Sequence, residues 1–178
     1  MELRNLTLDD LSLYEAIHCD PRMMADLGGP LPREPLADKL RQDVAETEAD
    51  HVWVLAIVPD EGGEPAGTVA IWDHDAHGEP ITEIGWMVLP DHQGRGLGKR
   101  AVLAALERAR TESRWEVVHA FPTAGNERSN AMCRSLGFSK IGEGDYGFRG
   151  RTLHCNHWTL DLRAGDATQR TRAEGVIG

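Results

Sequence analysis

Three glycines are spaced two residues apart in the stretch Gln93-Gly94-Arg95-Gly96-Leu97-Gly98-Lys99-Arg100. An apolar run precedes it, and apolar residues recur at helical spacing after it, so the stretch joins a strand to a helix. Glycine lets the backbone turn tightly beside a ligand, and a helix start adds unpaired N–H donors and partial positive charge. The pattern predicts a diphosphate site, and Arg95, Lys99 and Arg100 can add charge at its rim.

Other glycine motifs fit this stretch less well. A P-loop needs a glycine five residues before Gly98, where Gln93 stands. A dinucleotide-binding fingerprint needs a third glycine at the position of Lys99, and it belongs to a βαβ unit. A glycine-rich turn without a ligand remains the plain alternative.

Working outward, the sequence predicts four strands on the upstream side, the last three of which are separated by short turns. These strands cover residues 2–6, 52–58, 67–73 and 81–89, with a turn at 75–80. Short turns between successive strands favour antiparallel pairing. On the downstream side the pattern predicts helices over 98–112 and 126–136, and strands over 116–121, 138–146 and 151–162. The expected fold class is therefore α/β, with a mixed, mostly antiparallel central sheet flanked by helices.

The N-terminal region predicts two further helices, one that begins after Thr7 and a charged one over residues 34–48. They carry few large apolar residues. We therefore expect these helices and the loop between them to form a lid over a binding site.

Composition limits the class of protein. The 178 residues fit one domain, expected over residues 1–163 and followed by a flexible tail at 164–178. A net charge of −10 without a basic stripe argues against a nucleic-acid partner. The longest apolar run, residues 52–58, is too short for a membrane span, and no secretory signal is expected. Three cysteines at unrelated spacings favour a reducing, cytoplasmic setting.

Two segments resemble one known family. Gln93-x-x-Gly96-x-Gly98 is similar to the Q/R-x-x-G-x-G/A motif of the Gcn5-related N-acetyltransferases (GNAT), whose loop holds the pyrophosphate of acetyl-CoA. The stretch from Asn126 to Phe138 resembles the family's N-x-x-[A/S]-x-x-x-[Y]-x-x-x-G-F segment. Ser129 matches the N-x-x-S of the subgroup similar to the ribosomal-protein N-acetyltransferases. Asn126 and Gly137 would serve equally well as ordinary helix caps.

The resemblance implies acetyl-CoA as the co-substrate and a set of residues that hold it. In relatives the backbone near the end of the fourth strand pairs with the pantetheine arm, the glycine loop holds the diphosphate, and the asparagine bonds the arm. By that match the cofactor-binding residues are Met87, Val88, Leu89, Gln93, Gly94, Arg95, Gly96, Leu97, Gly98, Lys99 and Asn126.

The resemblance also implies candidate catalytic residues. Glu83 matches a glutamate that acts as the base in some relatives, and burial beside apolar neighbours would raise its pKa toward a useful range. It could equally be structural. Cys133 stands where many members carry a tyrosine that protonates the leaving thiolate, so the general acid is left open between Ser129, Cys133, a water and no group at all. His119 and His92 are reserve candidates for the base.

The expected function is transfer of an acetyl group from acetyl-CoA to a primary amine of a small molecule or protein. A non-catalytic module that binds or senses acyl-CoA is the main alternative, because the family tyrosine is missing, and a nucleotide-binding protein is the second. We expect no membrane partner and leave a homodimer open. No metal site is expected, since strand alternation sends His154 and His157 to opposite faces.

Overall fold

The computed structural model describes residues 1–59, 63–76 and 78–163. The predicted tail at 164–178 lies outside the described residues. Seven strands are β1 (Glu2–Asn5), β2 (Trp53–Val58), β3 (Gly67–Ala76), β4 (Glu79–Val88), β5 (Val117–Ala120), β6 (Ser139–Phe148) and β7 (Arg151–Asp161). The α-helices are α1 (Leu11–His18), α2 (Leu36–Glu48), α3 (Leu97–Thr111) and α4 (Glu127–Ser135). None of the helices in these ranges is long and apolar enough to cross a membrane.

The strands form one sheet in the order β1-β2-β3-β4-β5-β7-β6. Strands β1 to β4 pair antiparallel in chain order, β5 joins β4 in parallel, and β7 pairs antiparallel with both β5 and β6. The parallel neighbours are the pair that α3 connects, since a parallel crossover needs a long connection. The prediction of a mixed, mostly antiparallel sheet flanked by helices is confirmed.

The larger core lies between the sheet and helices α3 and α4. Apolar side chains of α3 recur every three or four residues and meet the inward residues of the strands. Buried members of this core include Leu55, Val69, Ile71, Ile84, Val102, Leu106, Val118, Cys133, Phe138 and Trp158. Burial of this apolar surface is the main force that fixes α3 against the sheet.

The opposite face of the sheet carries α1 and α2, and the premise that these helices have too few apolar residues for a core was wrong. Leu13, Ile17, Leu40 and Val44 are buried in a second core with Ala56 of β2. The two helices are therefore packing elements, although their sequence looked too polar for that role. The amphipathic spacing places the few apolar residues on one stripe, which is enough to cover one face of a sheet.

The hairpin between β3 and β4 is longer than predicted. Residues 75–80 were expected to form a turn, but Asp75 pairs with Pro80 and Ala76 with Glu79. The Asp75 carboxylate accepts the N–H of Gly78 at 2.7 Å, and Gly78 has a left-handed φ of 86°. The chain reverses within this tight turn, so strand pairing continues almost to its tip.

Strands β4 and β5 separate soon after they meet. Within the described residues one register pair, Glu83 with His119, joins them, although β4 continues to Val88. Backbone groups on the β5 side of β4 beyond this pair have no neighbouring strand there. The result is a split in the sheet, with Glu83 at its apex.

Candidate active site

The glycine loop lies at the open end of the split. Gly94 and Gly96 have left-handed φ values of 75° and 71°, which most other residues adopt only at a cost. Gly96 immediately precedes α3, and among the described residues no side chain caps this helix start. Its first N–H groups are therefore available to an anion, and the helix dipole favours negative charge there.

The loop folds back against the end of β4. The Gln93 amide donates to the Val88 carbonyl at 2.8 Å, and its side-chain oxygen accepts a bond from Arg128 of α4 at 2.7 Å. A side chain at Gly98 would approach the Val88 methyl to 3.2 Å, so glycine allows α3 to begin close to the strand. Gln93 and Arg128 thus bring the loop, the end of β4 and the start of α4 together.

The predicted residues at the end of β4 do not share one orientation. The Leu89 N–H donates to Ala66 at 2.8 Å, on the β3 side. Backbone groups of alternate residues point to opposite sides of a strand, so those of Val88 face the split. The side chains of Met87 and Leu89 pack against the second core, under α1 and α2. Of these three residues, Val88 has the backbone orientation that a pantetheine arm needs.

Helix α4 is fixed beside the split by buried amides. Asn126 caps it, with its side-chain oxygen accepting the Ser129 N–H at 3.0 Å. Asn130, which the sequence analysis did not select, donates to the carbonyls of Thr123 and Asn126 and accepts from Asn156 and Trp158. An asparagine inside a helix is a weak signal of such a role, because it is a poor helix former.

Glu83 is the acidic group at the apex of the split. Its side chain is 21% exposed, and Oε2 lies 2.8 Å from Nε2 of His74 on β3. Burial raises the pKa of Glu83 to about 7, although the charge of His74 and its hydrogen bond act in the opposite direction. A carboxylate with this pKa is a stronger base than an ordinary glutamate and is ionised from neutral pH upward.

A group of rings continues from the apex along β5 and β7. Nδ1 of His119 lies 2.7 Å from Nε2 of His157, so one of the two nitrogens donates and the other accepts. Phe121 contacts the His157 ring at 4.4 Å and the Tyr146 ring at 4.5 Å between centroids. Burial and the charge of His74 lower the pKa of His119. The rings beside Glu83 form a surface suited to the apolar part of an acceptor.

The two candidate general acids differ in placement. Ser129 lies half-buried in the first turn of α4. Cys133 is fully buried in the larger core, where burial raises the pKa of its thiol to about 12. The reserve candidate His92 ends a short 3-10 helix (Pro90–His92) between β4 and the glycine loop.

The β6–β7 hairpin reaches α1, α2 and the loop between them. At the hairpin tip, Arg149 interacts electrostatically with Tyr14 and Asp43. The Arg151 side chain packs against Gly28, and a Cβ atom on Gly28 would lie 2.6 Å from Cδ of Arg151. Tyr14 donates to Asp43 at 2.5 Å, which links α1 to α2. The hairpin tip therefore lies against α1, α2 and the loop that joins them. His154, on this hairpin, bonds Asp145 and Glu143 rather than His157.

Comparison with solved structures finds the same architecture. A ribosomal-protein-alanine N-acetyltransferase from Brucella melitensis is 24% identical, with 90% of this chain and 99% of that chain covered and a TM-score of 0.71. A spermidine N-acetyltransferase from Vibrio cholerae, solved with CoA and spermine, is 16% identical, with 91% and 95% covered and a TM-score of 0.75. The yncA protein of Salmonella typhimurium, solved with acetyl-CoA, is 23% identical, with 91% and 94% covered and a TM-score of 0.69.

Residues 1–139 match the family model described as the acetyltransferase (GNAT) domain. That range includes the glycine loop, the split between β4 and β5, Glu83 and α4. The resemblance suggested by the glycine motif is confirmed by this match and by the shared fold. The chain belongs to the GNAT acetyltransferase family.

Proposed function

We propose that this protein transfers the acetyl group of acetyl-CoA to a primary amine of a small molecule or a protein, with Glu83 as the base. The observation that carries the proposal is the partly buried carboxylate of Glu83 at the apex of a split sheet, with the uncapped start of α3 at its open end. A diphosphate suits the N–H groups after Gly96, and an extended arm suits the side of β4 that has no neighbouring strand beyond Glu83 among the described residues. The complexes of two structural relatives with CoA or acetyl-CoA support the same ligand.

Different residues serve proton transfer and cofactor binding. Acetyl-CoA supplies an acetyl thioester when bound. An ammonium and a thioester become an amide, a thiol and one released proton, so a group in the site must accept a proton from the ammonium. Glu83 is the described carboxylate at the apex, and its raised pKa suits that task. The N–H groups at the start of α3, together with Arg95, Lys99 and Arg100 at the rim, hold the diphosphate.

An acceptor screen tests the proposed function. Thiol release from acetyl-CoA is followed with a peptide that has an N-terminal alanine, with spermidine and with lysine, and products are identified by mass. We expect a mass increase of one acetyl group on at least one amine. CoA binding without acetylation of any amine in a broader panel would instead favour the non-catalytic acyl-CoA-binding module.

The general acid is addressed by a pair of substitutions. We propose that Ser129 contributes more than Cys133, because Cys133 is buried in the core and its thiol has a raised pKa. With the best acceptor at saturation, Cys133→Ala is expected to keep kcat within about threefold, since a buried free cysteine behaves as a small hydrophobe. Ser129→Ala is expected to lower kcat by about tenfold or more.

Cys133→Tyr provides the matched comparison, because it introduces the family's usual residue at the same position. A tyrosine is far larger than the space in the core, so we expect it to lower the melting temperature. A loss of kcat confined to Cys133→Ala, in a protein that still binds CoA, would assign the acid role to the thiol.

A further inference from the structure

His74 of β3 is a second titratable group at the apex. It follows Trp72 by two residues, so both side chains lie on the face of the sheet that carries Glu83. The Trp72 and His74 rings stack with centroids 6.2 Å apart and planes inclined by 28°. Gly85 makes room for this packing, since a side chain there would approach Trp72 to 3.2 Å. The ring of His74 therefore lies beside Trp72 and in hydrogen-bond contact with Glu83.

The two nitrogens of His74 have different partners. Nδ1 lies 3.2 Å from the Asp75 carbonyl, and a carbonyl can only accept, so Nδ1 carries a hydrogen. Nε2 lies 2.8 Å from Oε2 of Glu83. In a neutral ring with Nδ1 protonated, Nε2 is an acceptor, and the contact with Glu83 then needs a proton between them. The contacts therefore tie Nε2 of His74 to one oxygen of Glu83 and leave Nδ1 on the Asp75 carbonyl.

This contact involves one of the two oxygens of the Glu83 carboxylate. In the described part of the chain Oε1 of Glu83 has no hydrogen-bond partner, and His74 occupies Oε2. The His74 side chain is 34% exposed and Glu83 is 21% exposed, so the imidazole lies nearer to solvent. The contact with His74 is therefore made by one oxygen of the carboxylate, and the other oxygen is left for an acceptor amine.

We propose that His74 is a positioning residue that fixes Glu83 through Oε2, stabilises its carboxylate form and directs Oε1 toward the acceptor amine. The catalytic part of this proposal rests on the proposed function. The hydrogen bond between His74 and Glu83 does not depend on that function. With this role for His74, strand β3 joins the glycine loop and helix α4 in forming the site.

Other titratable groups also lie near Glu83 at the apex. His119 neighbours Glu83 from β5, and His157 of β7 bonds His119. Cys155 of β7 is close enough to Glu83 for that charge to raise its thiol pKa, and Asp145 of β6 acts on Cys155 in the same sense. Among these neighbours His74 is the one in direct contact with the Glu83 carboxylate.

The experiment measures the pKa of Glu83 directly and the rate separately. The side-chain carboxyl of Glu83 is followed by NMR in protein labelled with carbon-13 at glutamate, and its signal is assigned by its loss in Glu83→Gln. Because His74 lowers the pKa of Glu83, His74→Phe should raise it by at least about one unit, and His74→Gln, which can still donate one hydrogen bond, by less. The control is His154→Phe, which removes another carboxylate-bonded histidine on β7 and should leave the Glu83 titration unchanged.

The rate profile uses the best amine from the screen. In His74→Phe the acidic limb of kcat should move upward with the Glu83 pKa, so that kcat at pH 7 falls about fivefold for a one-unit shift and recovers above pH 9. The KM for acetyl-CoA should stay unchanged. A reduced plateau with an unmoved limb, or an unchanged Glu83 pKa in folded His74→Phe, overturns the proposal. If the wild-type protein acetylates no amine, the proposed function fails, while the NMR titration still decides whether His74 controls Glu83.

Discussion

Replacement of Glu83 by glutamine is expected to lower kcat by about 10²–10⁴, the range for loss of a positioned acid–base group. The amide is nearly isosteric, so the split between β4 and β5 should persist and CoA should still bind. Because the Glu83 pKa is raised to about 7, wild-type kcat should fall as the pH drops below 7, where the base becomes protonated, and level off above it. Glu83→Gln should lack this limb.

A matched control exists on the β6–β7 hairpin. Glu143 is also a glutamate hydrogen-bonded to a histidine, His154, but it is 46% exposed, compared with 21% for Glu83. Glu143→Gln should therefore keep wild-type kcat and the same pH profile. If Glu83→Gln retains both, the carboxylate is structural and the proton is taken by another group, such as His119 or a water.

Substitution of Gly96 by glutamate is expected to abolish stabilisation by CoA in a thermal-shift assay, with a rise in Kd of at least about 100-fold, or roughly 3 kcal/mol. Two effects act together. Gly96 has a φ of 71°, where a side chain strains the backbone, and the new carboxylate stands beside the helix start that attracts the diphosphate.

Gly137→Glu is the control for strain and charge. Gly137 also has a left-handed φ, 84°, and a side chain there would meet nothing within 4 Å. The same substitution at this position should lower the melting temperature by a similar amount but leave the CoA-induced shift intact. A full CoA shift in folded Gly96→Glu would remove the glycine loop from the cofactor site.

Much of the fold was predictable because its signals are local. The turns between the first strands, the helical spacing after Gly98 and the caps at Asn126 and Gly137 can each be read within a few residues. The packing of α1 and α2 could not be read in this way. Their apolar residues are few, and the second core becomes visible only when those residues meet Ala56, Met87 and Leu89 on the sheet.

Candidate site residues that belong to a sequence motif could be selected from the sequence. Residues that reach the site through strand pairing could not. Glu83 and the glycine loop were selected from the resemblance, and their roles remain predictions. His74 was not selected, because the strand was expected to end at residue 73. The turn closed by Asp75 and Gly78 extends β3 and brings His74 to Glu83, and this depends on a register that no local pattern specifies.

Asn130, His157 and Tyr146 were also not selectable from the sequence as site residues. Each contacts partners that are distant in the sequence, such as Trp158 for Asn130 and Phe121 for the two rings. An isolated polar or aromatic residue has many ordinary explanations in a sequence. Its neighbours in space, rather than its type, indicate a function.

The burial of two cysteines also has a chemical consequence for a protein that holds a thioester. A thiolate exchanges readily with thioesters, whereas a thiol does not. Burial raises the pKa of Cys133 to about 12 and that of Cys155 to about 11, so at pH 7 only about one molecule in 10⁴ or fewer carries either thiolate. Burial therefore keeps both thiols protonated at neutral pH, the form that does not attack a thioester.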